Sequence, residues 1–354
     1  MTTRTASLAI LLAIVGSRVL ALGAPGEQVQ VGSLELEAEW IGLHPTGATP
    51  VPLDHPMGIA VDEHGRVLVA DSGNERIIVF NDAGDVLESW PLPAGARPVG
   101  IAARANGTVL VADYTGDRIL VLDRGGEIRD TWGGTGSGEG EFQAPSGVAV
   151  TASGTIIVVE FMGQRVQELD PDGKFLRFID GGEAGRRHAK ERPPLPGMED
   201  MSGMEGRGRM QEMAGVPGGN PHGLFRYPSD AAIGPDGTLY VSNTHAYEIL
   251  VFGTDGELRD AWGMKGSGAG EWEVPVGLTT DPAGNLYVAD SANFRVQALA
   301  PDGRPLLVSR ADERWWLTTR RIYSPTDVAV GPNGSLYVAD FAASKIQRFG
   351  VLLR

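Results

Sequence analysis

His55-Pro56-Met57-Gly58-Ile59-Ala60-Val61, followed by Val67-Leu68-Val69-Ala70-Asp71 and Arg76-Ile77-Ile78-Val79-Phe80, decides the fold, because the phrase returns five more times. The later copies open at Pro98, Pro145, Pro228, Pro275 and Pro325, so successive openings lie 42, 47, 83, 47 and 50 residues apart. Self-similarity at a near-constant period marks a repeat architecture in which each unit buries its apolar face against its neighbours. Every copy holds three apolar runs separated by turn pairs such as Asp172-Gly173, Asp236-Gly237 and Asn333-Gly334, which suit tight hairpins. A fourth, more polar run follows, as in Glu127-Ile128-Arg129-Asp130-Thr131-Trp132.

Four antiparallel strands per unit, repeated six times, predict an all-β fold: a six-bladed β-propeller over residues 33–354. The first runs of a unit are apolar on both faces, as strands packed between blades must be. The fourth alternates, as a strand with one wet face does. Outer strands end in Trp90, Trp132 and Trp262, each six residues after a turn glycine (Gly84, Gly126, Gly256). The last unit runs out at Phe349 with five residues left and has no outer strand of its own. Leu34-Glu35-Leu36-Glu37-Ala38-Glu39-Trp40 carries the same alternation and the same terminal Trp. It is therefore the expected outer strand of blade six, closing the ring and removing two open sheet edges.

The 83-residue gap contains an insertion over residues 181–223, with 11 glycines, 5 prolines and six charges of each sign. Such a tract has little to bury and is expected to be a flexible flap between blades three and four. It holds five of the nine methionines, Met198, Met201, Met204, Met210 and Met213, flanked by His188 and His222. Thioethers are soft ligands, and a cluster of them suits copper in its reduced state. The same residues serve equally as an apolar lid or as an adaptable grip on a partner.

The whole chain has 354 residues, a net charge of −15 and no cysteine. Disulfides, thiol nucleophiles and iron–sulfur clusters are excluded. The acidic balance speaks against a nucleic-acid partner, whose phosphates call for lysines and arginines. Leu8–Val15 is an apolar run behind Arg4, followed by small residues up to Ala24. Residues 1–24 read as a secretory signal peptide, which places the protein outside the cytoplasm, periplasmic or extracellular. Eight apolar residues are too few to span a bilayer, so no integral membrane span is expected.

Five blades carry an acid at the end of the second strand and a base five residues on: Asp71/Arg76, Asp113/Arg118, Glu160/Arg165, Asp290/Arg295 and Asp340/Lys345. These read as loop staples. Blade four breaks the pattern with Asn243-Thr244-His245-Ala246-Tyr247-Glu248. It also replaces the glycine of the first strand (Gly58, Gly100, Gly147, Gly277) by Asp230, as blade six does by Asp327. Inner-strand starts surround the mouth of the central channel. Asp230, Asn243, His245, Tyr247, Glu248 and Asp327 are therefore the candidate ligand-binding residues, and calcium is a candidate ion for the mouth. The bland alternative is that both aspartates bond neighbouring backbone amides.

The repeat resembles the NHL family of six-bladed propellers. The most specific match is the linker Trp132-Gly133 through Gly136-Ser137-Gly138-Glu139-Gly140-Glu141-Phe142 to Pro145, echoed from Trp262 to Pro275. The peptidyl-α-hydroxyglycine lyases resemble this repeat and bind zinc through histidines that follow the blade-opening proline. Here those positions hold Met57, Val99, Ser146, Ser229, Val276 and Thr326, none of which supplies an imidazole. Together with the N-terminal signal pattern, the resemblance leads to the expectation of an exported, non-catalytic binding or scaffold module that takes a small molecule or protein on the face of the blade-opening loops. The alternative is a metal-dependent lyase or hydrolase, amidating-lyase-like or lactonase-like, working at the channel mouth.

Overall fold

The computed structural model describes residues 17–22, 28–40, 52–192, 223–309 and 322–353. Six four-stranded antiparallel blades follow one another around a ring, with inner strands Pro56–Val61, Pro98–Ala103, Pro145–Val150, Pro228–Ile233, Pro275–Thr280 and Pro325–Val330. The second strands, such as Val67–Asp71 and Leu336–Asp340, are buried from end to end, which explains their unbroken apolar composition. The core lies between blades. In one seam Leu68, Ala70, Ile77 and Val79 of blade one meet Ile101, Val109, Val111 and Leu120 of blade two.

The ring closes as the alternation predicts. Gln28–Trp40 runs antiparallel to Lys345–Leu352, from Ser33 opposite Leu352 to Trp40 opposite Ile346, with one shift of register between Leu36 and Ala38. Leu34 is buried in the cluster that joins blades five and six. The first half of the same strand also pairs with Ser17–Leu22, outside the four strands of blade six.

Consecutive blades interlock through an indole laid over a turn glycine. A Cβ on Gly126 would lie 2.0 Å from the Trp90 ring, and one on Gly173 would lie 2.2 Å from Trp132. Both glycines have φ near +83°, so the hairpin turn and the indole each demand glycine there. Between blades three and four a guanidinium replaces the indole, with Arg177 over Gly256.

The insertion departs from expectation in its first third. Gly182–Glu191 is a helix seated against the outer strand Leu258–Trp262 of blade four. Ala184 and Ala189 pack on a cluster that includes Ile179, Leu224 and Phe225. Met198, Met201, Met204, Met210, Met213 and His222 lie outside the described residues. Among the described residues no helix is long and apolar enough to cross a membrane.

Candidate functional site

The second-strand acids act as staples, and as more than that. Arg76 Nε donates to Asp71 Oδ2 at 2.6 Å, Arg118 to Asp113 at 2.8 Å, Arg165 to Glu160 at 2.7 Å and Arg295 to Asp290 at 2.9 Å. Their other oxygens accept amides of the blade-opening loop, such as Arg97 N on Asp113 Oδ1 at 2.9 Å. Arg165 and Arg295 reach further and cap carbonyls of the preceding glycine-rich linker, at Glu141 (2.8 Å) and Glu271 (2.7 Å). The acid, or Asn243 in blade four, thus fixes where each inner strand starts, and the six starts together define the channel mouth.

A cavity of about 230 Å³ occupies that mouth. All six residues that follow the opening prolines line it: Met57, Val99, Ser146, Ser229, Val276 and Thr326. Asp230 and Asp327 supply its carboxyl groups, and Arg97, Tyr114 and Phe161 stand at its wall. The inner-strand positions come so close that a Cβ on Gly147 would lie 2.7 Å from Asp230 Cα. On Gly277 it would lie 2.4 Å from Asp327 Cα. Four of the six positions are therefore glycine for want of space.

Each aspartate turns its carboxyl onto the next blade. The amide of Leu278 donates to Asp230 Oδ2 at 2.8 Å, and that of Ile59 to Asp327 Oδ2 at 2.8 Å. The amide of Val328 donates to Asp327 Oδ1 at 2.8 Å. The backbone-bonding alternative is thus realised, and the carboxyls still line the cavity. Burial, only partly offset by these amides, pushes Asp230 up to about 7. Asp327 is raised well above the carboxylate range by burial and by the charge of Asp230. Ionisation of Asp230 thus makes Asp327 harder to ionise, and the two carboxyls titrate together rather than independently.

An aromatic arc continues from the cavity over blades two to four. Tyr114 and Phe161 have ring centroids 6.4 Å apart, Phe161 and Tyr227 are 5.2 Å apart, and Tyr227 and His245 are 4.6 Å apart. The Arg97 guanidinium sits 5.6 Å above the Tyr114 ring. Desolvation lowers the His245 pKa and favours the neutral imidazole.

The other expected ligand residues are placed elsewhere. Asn243 is buried in a polar knot: its Oδ1 accepts the Arg226 amide at 2.6 Å, and its Nδ2 donates to Glu248 Oε1 at 2.8 Å. Glu248 in turn takes the guanidinium of Arg192 and lies 3.0 Å from His188 Nε2, both from the insertion. Tyr247 carries Lys265 Nζ 5.0 Å above its ring. None of Asn243, Tyr247 and Glu248 lines the cavity, and His245 reaches it only through the aromatic arc. Among the described residues no group of three or more His, Cys, Asp or Glu is arranged to hold a metal ion.

Arg97, Tyr114, Phe161 and Tyr227 were not among the expected site residues. One signal exists for Tyr114 and Phe161. The residue after the second-strand acid, or after Asn243 in blade four, is Ser72, Tyr114, Phe161, Thr244, Ser291 and Phe341. In blades four and five, as in blade one, this position is a hydroxyl that bonds the neighbouring opening loop: Thr244 Oγ1 donates to Pro275 O at 2.7 Å and Ser291 Oγ lies 3.0 Å from Ser324 Oγ. In the remaining blades it is an aromatic ring.

The sequence profile of the NHL repeat matches residues 53–80, 274–299 and 323–349, the first three strands of blades one, five and six. No curated protein matches the chain by sequence. Among solved structures the chain is similar to a streptogramin B lyase (16% identity, TM-score 0.57, 91% of this chain and 98% of that one). It is also similar to a catalytically inactive virginiamycin B lyase from Staphylococcus aureus, solved with quinupristin (19% identity, TM-score 0.55, 89% and 85%). A gluconolactonase from Xanthomonas campestris is a third (18% identity, TM-score 0.59, 84% and 86%). At these identities the likeness is one of fold, and a fold hosts many functions. Repeat profile, blade count and ring closure agree: the chain carries NHL repeats and is a six-bladed β-propeller.

Proposed function

We propose that the protein is an exported ligand-binding propeller that takes a small molecule into the channel-mouth cavity, on the face of the blade-opening loops. The observation that carries this reading is the cavity itself. Its hydroxyls and buried carboxyl pair are held by inner strands whose starts are fixed by second-strand side chains, and Tyr114 and Phe161 stand at the ends of second strands. A concave, mostly apolar site with a few convergent polar groups is the usual form of a small-molecule site. Export is supported by the N-terminal pattern; blade six keeps four strands without Ser17–Leu22, so cleavage near Ala24 leaves the ring complete. Ligand-observed NMR against a mixed small-molecule library tests the binding reading. Wild type is expected to bind library members that Met57→Trp, which fills the cavity, does not. Binding unchanged in that variant would overturn it. The mass of the protein recovered from the exported fraction tests the compartment, with a start between residues 21 and 25 expected.

A second reading, a lyase or hydrolase, draws on Asp230. A cavity carboxyl pushed to about 7 is suited to proton transfer at neutral pH. Mass spectrometry of recovered ligands separates the two. Unchanged ligands favour a binding module, whereas conversion that disappears in Asp230→Asn favours the enzyme.

A further inference from the structure

The hydroxyls on the cavity floor can accept hydrogen bonds, their own protons being committed to backbone carbonyls or to one another. Thr244 Oγ1 donates to Pro275 O, so at its 2.6 Å contact with Ser229 Oγ the proton comes from Ser229. Thr326 Oγ1 donates to Pro56 O at 3.1 Å and to Ala339 O at 3.3 Å. Ser146 Oγ donates to Val159 O at 3.4 Å. Each hydroxyl keeps only lone pairs for the cavity. Asp230 and Asp327 add carboxyl oxygens, and the faces of Tyr114 and Phe161 add negative quadrupoles.

We infer that this cavity seats the ammonium group of a small primary amine between Asp230 and Asp327, with the amine's organic body against Tyr114 and Phe161. The inference rests on the cavity being the ligand site and adds the class of ligand. A primary ammonium brings three donors and one positive charge to a floor that offers acceptors and negative charge. An anion finds its side-chain donors at the rim, in Arg97 and the Tyr114 hydroxyl, and meets carboxyl groups on the floor; a neutral molecule leaves the carboxyl charge unmatched. A calcium ion wants six to eight oxygens and gains nothing from an aromatic wall. The titratable groups facing the cavity are Asp230, Asp327, Tyr114 and, at the rim, Arg97. Arg97 is a fixed positive charge, which disfavours a second cationic centre on the ligand. A bound ammonium must displace the proton that burial leaves on the aspartate pair, so binding tightens as pH rises.

Ligand-observed NMR and calorimetry on the full chain test this with benzylamine, benzyl alcohol, phenylacetate, tetramethylammonium and calcium as probes. Benzylamine is expected to bind best, with affinity rising about tenfold between pH 6 and pH 8. Asp230→Asn and Asp327→Asn should each weaken it at least about tenfold. If one variant fails to fold, the other variant and the wild-type pH profile carry the test. Benzyl alcohol or phenylacetate binding as tightly as benzylamine, or a flat pH profile, would overturn the inference. So would calcium displacing benzylamine at equal concentration. If neutral or anionic probes bind in a manner blocked by Met57→Trp while amines do not, the ammonium inference falls and the proposed function stands. If no small molecule binds, both fall.

Discussion

Glu248 stands where the other blades carry Arg76, Arg118, Arg165, Arg295 or Lys345, and its carboxylate takes the guanidinium of Arg192 from the inserted helix. Blade four has exchanged the staple's own base for an acid and imported the cation from 56 residues upstream. The helix Gly182–Glu191, whose own glycines give it little intrinsic propensity, is docked by that pair. Both partners are buried, so removing one leaves the other uncompensated.

Replacing Glu248 by Ala should destabilise the protein by about 3 kcal/mol. Hydrogen exchange should rise sharply over residues 182–192 and little in the second strands of blades one and two. The double change Asn243→Asp/Glu248→Arg restores the staple of the other blades and repels Arg192. It should leave the melting temperature close to wild type while releasing the helix. A helix that stays protected in the double variant would refute this account.

Stability should fall as pH rises through neutrality, and the aspartate pair should be the cause. Both carboxyls have their pKa raised in the folded state. Their contribution is therefore complete below the unfolded value near 4 and is lost as pH climbs through about 7 for Asp230. The double variant Asp230→Asn/Asp327→Asn keeps an acceptor for Leu278 and Ile59 but carries no titrating group. Its unfolding free energy should change less between pH 5 and pH 8 than that of wild type, by roughly 2 kcal/mol. Parallel pH profiles for the two proteins would show that the pair does not titrate as described.

Gly277 is a packing position. Its backbone does not need a positive φ, yet an added methyl would sit 2.4 Å from Asp327 Cα. Gly277→Ala should cost about 3 kcal/mol and disturb the cavity, measured by urea unfolding and by loss of probe binding. Gly95→Ala, with φ of +81° and open space around it, should cost about 1 kcal/mol through backbone strain alone.

Leu34→Ala should cost about 3 kcal/mol, because Leu34 is buried in the cluster where the N-terminal strand meets blades five and six. The loss should appear as faster exchange in Lys345–Leu352, the strand that Gln28–Trp40 covers. Equal exchange in that strand before and after the change would count against closure by this route.

The ring was legible in the sequence because each blade is a local meander whose turns and apolar runs recur at one period. Asp230 and Asp327 were legible as departures from a glycine that the period demands. Asn243 and Glu248 were also visible as departures, but their role was not: the partner Arg192 lies in a tract with no period. The wall formed by Arg97, Tyr114 and Phe161 is not legible because it is assembled across blades, two of its members from a position that is a hydroxyl in some blades and a ring in others.

The pairing of Ser33 with Leu352 also sets the order in which the molecule can be made. A chain emerging from the ribosome N-terminus first presents Gln28–Trp40 at once, and the strand it must join appears only after six repeats have been synthesised. Contacts this distant in sequence form late. Until then an alternating strand waits with its edge uncovered, and blades one to five can assemble from local hairpins alone. Velcro of this kind makes the last few residues the latch of the whole ring: a nascent chain arrested before Lys345 should hold five blades and an N-terminal strand still open to proteases.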